Sequence, residues 1–408
     1  MKTIKSVKAF LNLDYSKSEI GEMILDKNKI YFKYNTDFIA SGLQISPFKL
    51  PLSPEIMLPK ESHFEGLFGV FSDSIPDGWG KLLLDRKLIS EGININQINA
   101  LDRLSYIDKN GLGAISYEPE FENDYNFNQN VNLDVVFNEV QTVFKSSSID
   151  AIEELFLLGG SSGGARPKIH IGFNPKNNEI IRSQMDLPKD FEHWIIKFPA
   201  SNDLQDIALI EFVYNQMARN AGIEVSDFKL FQTQKGKHFF GSKRFDRIGN
   251  QKLHLHSAAG LLHDNFRMST LDYGHIMDCS FNLEKSVQAY DKILRLATFN
   301  VLGHNKDDHS KNFSFLMDKN GNWKFAPAYD LTFSNSGFGF HSTSVAGESK
   351  NPTLKHLYEL AKHFDVKNPN LIFDAVATSI NQFGSLAKNI GMNKETLGLI
   401  SNQINKIN

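Results

Sequence analysis

The stretch FNVLGHNKDDHSKNFSFLMD, residues 299–318, sets an intensely polar loop between two apolar runs. That loop holds Asp307, Asp308, His309 and Lys311 and closes on Asn312. Asp307 and Asn312 stand five apart, the D-x-x-x-x-N spacing with which a kinase catalytic loop supplies a base and a metal ligand. Asp330 follows 18 residues after Asn312, past the hairpin-like FSFLMDKNGNWKFA, where such a fold presents its second metal carboxylate. Mg²⁺ demands hard oxygen ligands, and an Asn carbonyl with an Asp carboxylate, bridged to nucleotide phosphates, provides them. Taken one at a time, each of these residues reads more simply as a solvated charge on a surface loop.

Two upstream segments change that weighting. LLGGSSGGARPKIHI places four glycines and two serines between a helix end and a strand, with Arg166 and Lys168 as the strand begins. Glycine lacks the Cβ that would keep a phosphate from backbone N–H groups, so such a loop either cradles a nucleotide or is merely flexible. It is not a Walker A loop, because no Ser or Thr follows Lys168. In HWIIKFPA, Lys197 interrupts an apolar strand. A buried lysine needs an anion beside it, whereas an edge-strand lysine would reach water along its stem. The helix pattern that follows carries Glu211 in ALIEFVYNQMA, either to meet Lys197 across a sheet–helix interface or to sit solvated. Glycine loop, strand lysine, helix glutamate, D-x-x-x-x-N and downstream aspartate occur in the order a two-lobed phosphotransferase requires.

The elements that must position these residues follow from periodicity. Val7–Leu13 and Glu22–Lys33 read as strands, the second broken by a turn at Asp26–Lys29. Pro76 and Asp77 mark a helix start that closes near Gly92, and a second helix is expected over Ile98–Ile107. EPEFENDYNFNQN, residues 118–130, lacks apolar periodicity and is the clearest boundary. Beyond it, helices at Leu133–Phe144 and Ile149–Leu158 precede strands at Lys168–Phe173, Glu179–Arg182 and Trp194–Phe198. A helix over Leu204–Ala221 and strands near Phe228–Thr233 and His238–Ser242 complete a small sheet. Past Arg247 the pattern is mostly helical: Leu271–Phe281, Glu284–Leu302, Thr353–Phe364, Leu371–Asn389 and Lys394–Ile407.

Length and composition bound the rest. At about 150 residues per domain, 408 residues imply two or three domains. A net charge of -3 gives no whole-chain attraction for nucleic acid or anionic lipid. The single cysteine, Cys279, can close no intrachain disulfide and reads as a small buried apolar residue, which fits a reducing cytoplasm. No apolar run reaches membrane-spanning length, and the opening MKTIKSVKAFLNLDYS carries charges where a signal peptide is apolar, so no membrane association is expected.

With these segments assembled, the chain resembles the HipA family of bacterial toxin kinases, partners of the HipB antitoxin. FSDSIPDGWGKLLLDR is similar to the signature of the family's N-terminal subdomain, GGARPK to its nucleotide loop and WIIKFP to its lysine strand. KRFDR resembles its hinge, and NKDDHSKNF with APAYDL its catalytic and metal segments. The resemblance implies an α+β, two-lobed protein-kinase-like fold with an appended β-rich N-terminal subdomain, divided as 1–125, 126–243 and 244–408. It implies a serine/threonine kinase using ATP and Mg²⁺, with a HipB-like antitoxin as partner, an aminoacyl-tRNA synthetase as target class, and DNA contact only through the antitoxin. Asp307 would be the base, Asn312 and Asp330 the Mg²⁺ ligands, and Lys197 a phosphate contact. Gly163, Gly164, Ala165, Arg166 and Lys168 would line the nucleotide loop, and Lys243, Arg244 and Phe245 the hinge beside adenine. Asp308 and His309 are grouped with the nucleotide, Lys311 and His309 either contacting phosphate or bracing Asp307, and Glu211 supports Lys197. Ser161 or Ser162 would be the autophosphorylated serine that silences the kinase. Departures from ordinary protein kinases are the missing HRD and the replacement of DFG by Tyr329-Asp330-Leu331. A small-molecule phosphotransferase and a pseudokinase-like module acting through an antitoxin are the rival readings.

Overall fold

The computed structural model describes residues 4–61, 63–107, 111–121, 130–145, 148–160, 163–183, 186–337 and 339–404. Alternation builds the N-terminal sheet: in β1 (Ser6–Leu13) Val7, Ala9, Leu11 and Leu13 are buried, while the residues between them face outward. β2 (Ser16–Asp26) and β3 (Lys29–Tyr34) form the expected hairpin, its turn residues Lys27 and Asn28 at φ 46° and 64°. Two left-handed residues are what a two-residue hairpin needs to match strand twist. β4 (Ile115–Glu118) pairs antiparallel with β1, giving the order β3-β2-β1-β4.

A second, fully antiparallel sheet has the order β6-β5-β7-β9-β8, from β5 (Lys168–Asn174), β6 (Glu179–Arg182), β7 (Glu192–Lys197), β8 (Phe228–Gln232) and β9 (His238–Lys243). Ile169, Ile171, Trp194 and Ile196 pack on one face against the helices Leu133–Lys145 and Ile149–Gly159. The period of two therefore sends Lys168 and Lys197 to the other face, where they stand directly opposite each other in the β5–β7 register. On that side lies the helix Ile207–Asn220, whose apolar stripe belongs to the large core of the C-terminal helices.

The C-terminal region departs from the expected run of helices. His254–Ser257 is a strand, paired antiparallel with Ser314–Met317, which pairs in turn with Trp323–Phe325 to form a small sheet. Four residues are too short for periodicity to register, so the sequence pattern passes over that strand. Helices Tyr273–Glu284, Gln288–Leu302, Leu354–His363 and Lys394–Ile404 lie close to their expected positions. The single helix expected over Leu371–Asn389 divides into Pro369–Ile380 and Phe383–Asn389, because a turn at Asn381–Gln382 redirects Phe383 into the core beside Tyr214. The helix expected over Ile98–Ile107 shortens to Ala100–Leu104.

The N-terminal region is not a bead on a linker. Trp79, Leu83, Leu84 and Leu88 of the helix Gly78–Ser90 are part of the small-lobe core, together with Ile152, Leu155 and Ile196. A division at residue 125 would separate this helix from the core it completes. A Cβ on Gly69 would lie 2.2 Å from the Gly260 carbonyl oxygen, so backbone packs against backbone where this region meets the large lobe. At the same junction Asp73 accepts from His256 Nδ1 (2.6 Å) and Ser257 Oγ (2.6 Å), and His256 Nε2 meets Ser46 Oγ at 3.0 Å. Burial would raise the Asp73 carboxyl, but His256, Lys311 and Ser257 hold it below its ordinary value. This Ser–His–Asp line is structural: Ser46 is 1% and His256 0% exposed, which leaves no route for a substrate.

Candidate active site

The register of β5 and β7 sets the problem that the site solves. Two lysines side by side on one sheet face repel, and burial worsens the repulsion unless carboxylates answer them. Lys197 Nζ donates to Glu211 Oε2 at 2.8 Å and to Asp330 Oδ1 at 2.5 Å, with the Lys197 and Glu211 side chains 11% and 2% exposed. Glu211 thus meets Lys197 across the sheet–helix interface and also receives Arg166, whose guanidinium forks onto Asp203 at 3.0 Å through both Nε and Nη2. Burial works against charge on Lys197, but Asp330 and Glu211 outweigh it and hold the ammonium above its ordinary value. Burial would likewise raise the Asp330 carboxyl; Lys197, then Lys168 and Arg166, drive it far below the usual carboxylate range instead. Lys168 has weaker support, so burial prevails and lowers it, and its ammonium donates to the Gly163 carbonyl at 2.6 Å.

Asp330 also holds an unusual backbone state, with φ 54°. Aspartate tolerates the left-handed region better than most residues, and strain of this kind concentrates at functional sites. Its neighbour Tyr329 is tied to the loop that carries Asp307 and Asn312: the hydroxyl donates to the Lys311 carbonyl and meets Ser314 Oγ at 2.6 Å. Within that loop Asn312 Nδ2 donates to the Asp307 carbonyl at 2.7 Å, while the Asp307 side chain is exposed. A continuous chain of contacts therefore joins Lys197, Asp330, Tyr329, Lys311, Asn312 and Asp307. With its amide N–H committed, Asn312 leaves Oδ1 without a partner among the described residues, a hard oxygen of the kind Mg²⁺ takes.

Other expected site residues take different places. Asp308 is 1% exposed, and its carboxylate accepts from Tyr273 (2.8 Å), His341 (3.0 Å) and the Ser342 N–H (2.8 Å). It faces the fold and pins the catalytic loop to the segment after Asp330, so no oxygen is left to meet a nucleotide. His309 packs its ring 5.5 Å from Phe266 and buries its Nδ1 without a partner among the described residues. Lys243 pairs with Glu192 at 2.7 Å, and Arg244 is turned inward onto Asp246 (2.8 Å) and the Gly111 carbonyl (2.9 Å). Phe245 alone of the three approaches the site, its ring 5.4 Å from Tyr329. Gly163, Gly164 and Ala165 lie where the loop enters β5, and Gly164 adopts φ 88°. Ser161 and Ser162 fall outside the described residues.

Sequence reasoning missed Asp77. It reads as a helix N-cap, yet its side chain caps nothing. One carboxylate oxygen accepts the Gly164 N–H and the other accepts Lys311 Nζ at 2.8 Å. The signal was present in FSDSIPDGWG, but nothing local says that the carboxylate turns away from its own helix. Asp203 was missed in the same way.

A small antiparallel sheet with a buried lysine–glutamate pair, set against a helical lobe that presents D-x-x-x-x-N and a second aspartate, defines a two-lobed, kinase-like protein. Family models agree over most of the chain, matching residues 160–384 to the HipA-like C-terminal domain and 11–118 to the HipA N-terminal domain. The chain belongs to the HipA family. A Haemophilus influenzae protein with a provisional kinase designation is 27% identical over 247 residues, 55% of this chain and 68% of that protein. The fold is similar to that of Shewanella oneidensis MR-1 HipA, solved with HipB and its operator DNA, at TM-score 0.69 and 18% identity, covering 98% of this chain and 95% of that one. The Helicobacter pylori proinflammatory kinase CtkA aligns at TM-score 0.39 and 16% identity over 53% of this chain and 87% of its own. No helix among the described residues is long and apolar enough to cross a membrane.

Proposed function

We propose that this protein is a Mg²⁺- and ATP-dependent serine/threonine protein kinase, the toxin half of a toxin–antitoxin pair. The observation that carries this reading is the Lys197–Glu211–Asp330 cluster, contiguous with the Asn312–Asp307 loop through Tyr329. Asp330 and Asn312 are the residues that would hold Mg²⁺, which when bound offsets the charge of the phosphates. Lys197, fixed by Glu211, would bind phosphate oxygens once it releases Asp330. Asp307, exposed at the loop, would accept the hydrogen bond of the acceptor hydroxyl and take its proton as the oxygen attacks the terminal phosphorus and ADP leaves. The work is positioning and charge neutralisation, with no covalent enzyme intermediate required.

Family membership and the fold shared with a HipA solved beside HipB support a HipB-like antitoxin as partner, with any DNA contact made mainly through it. An aminoacyl-tRNA synthetase is the proposed target class, growth arrest following from stalled translation. The decisive experiment incubates purified protein with labelled ATP and Mg²⁺. Label on Ser161 or Ser162 supports protein kinase activity with self-silencing; label only on a small acceptor would indicate a small-molecule phosphotransferase. No transfer at all would leave the pseudokinase-like alternative, a module acting through its antitoxin.

A further inference from the structure

Among the described residues, the N-terminal region supplies the carboxylate that ties the glycine loop to the catalytic loop. Asp77 bridges them directly, through the Gly164 N–H on one oxygen and Lys311 Nζ, 2.8 Å away, on the other. The bridge is sheltered, with the Asp77 and Lys311 side chains 12% and 18% exposed. Around it the backbones are in contact: the Trp79 N–H donates to the Gly164 carbonyl at 3.0 Å, and a Cβ on Gly78 would lie 2.5 Å from Ala165 Cα. Gly164 is therefore held from both its N–H and its carbonyl by the residues that open the helix Gly78–Ser90. Lys311 is held by Asp77 and lies 4.7 Å over the Phe266 ring, next to Asn312 and four residues from Asp307.

We propose that Asp77 is a positioning residue of the phosphotransfer site, setting the height of the glycine loop over the catalytic loop, so that the N-terminal region is a working part of the active site. The proposal rests on the kinase reading above. Misplacing a reacting group by about 1 Å can lower a rate by about 100-fold, and this bridge fixes two loops at once.

The test uses the full chain. Asp77→Asn keeps an oxygen for the Gly164 N–H but removes the charge that orients Lys311; Lys311→Met removes the other end. Initial rates of label transfer from Mg-ATP are measured for the wild type, both single variants and the double variant, with thermal melts alongside. Each single variant is expected to lose about 10- to 100-fold in kcat, and the double variant to be no slower than the worse single one, because the two act as a unit. A purely structural role would instead lower the melting temperature with kcat per folded molecule unchanged, and that result overturns the proposal. So do multiplicative losses in the double variant, or a kcat for Asp77→Asn within twofold of wild type. Should the wild type itself transfer no label, the kinase reading falls and the assignment of Asp77 falls with it, whereas an active wild type with unchanged variants overturns Asp77 alone.

Discussion

Asp307 and Asp330 show how two carboxylates in one site divide the work by environment. Asp330 is locked onto Lys197 and kept ionised, suited to hold charge rather than to move a proton. Asp307 is exposed, and its only tie to Asn312 runs through its backbone carbonyl, so its carboxylate is free to meet an acceptor. Asp307→Asn keeps the shape and removes the proposed base. Phosphoryl transfer should fall by about 10²- to 10⁴-fold while affinity for Mg-ATP, measured by calorimetric titration, stays within about threefold. Retention of near wild-type single-turnover transfer would remove Asp307 from the role.

At the scale of the element, the glycine loop is a strained connection held in place from three sides. Gly164 sits at φ 88°, a conformation open to glycine and costing an L-residue about 1–2 kcal/mol. A Cβ there would also lie 2.7 Å from Lys168 Nζ, pushing the ammonium off the Gly163 carbonyl. Gly164→Ala should therefore weaken Mg-ATP binding at least several-fold and lower stability by about 1–2 kcal/mol, read by titration and by denaturant unfolding. Unchanged nucleotide affinity would mean that the loop does not contact phosphate. The periodicity of the flanking helix and strand was plain in the residues, as was the glycine content. The stretch of sequence gave no sign, though, that Asp77, 87 residues earlier, would take the Gly164 N–H.

The whole molecule is one structure built from three cores. Removing residues 1–125 would strip Trp79, Leu83, Leu84 and Leu88 from the small lobe and open the Gly69–Gly260 contact. A chain starting at residue 126 is predicted to be unable to fold cooperatively; a sharp thermal transition in that fragment would disprove this. Acid should also weaken the intact protein before the depressed carboxylates Asp77 and Asp330 titrate. Three buried histidines outweigh the single carboxyl of Glu139, which burial pushes up to about 7 and which regains stability as it protonates. Burial pulls His193 and His254 down to about 3 and His170 well below its ordinary value, so all three are neutral when folded. Unfolded histidines titrate near 6.5, so below that pH the unfolded chain binds more protons and the native state loses ground. The histidine contribution is full above about pH 6.5 and declines as pH falls toward 4, whereas Asp330 and Asp77, whose carboxyls are depressed, add their loss only below about 4. Melting temperatures measured at pH 7.5, 6.5 and 5.5 should fall in that order, and a flat profile would contradict the histidine account.

What the amino-acid order determined by itself is what short range can encode. Alternation gave β1 and β5, amphipathic spacing gave the long helices, and residue types in a fixed order marked Lys197, Glu211, Asp307, Asn312 and Asp330 as a phosphotransfer set. Only the tertiary structure decided the rest. It set Lys168 opposite Lys197, turned Asp308 and Arg244 inward, and brought Asp77 to Lys311 across 234 residues of chain. Those choices depend on strand register, on which face of an element is buried, and on which distant charge is close enough to answer a desolvated one. No local pattern carries that information, because the energy that selects it comes from contacts that exist only once the chain has folded.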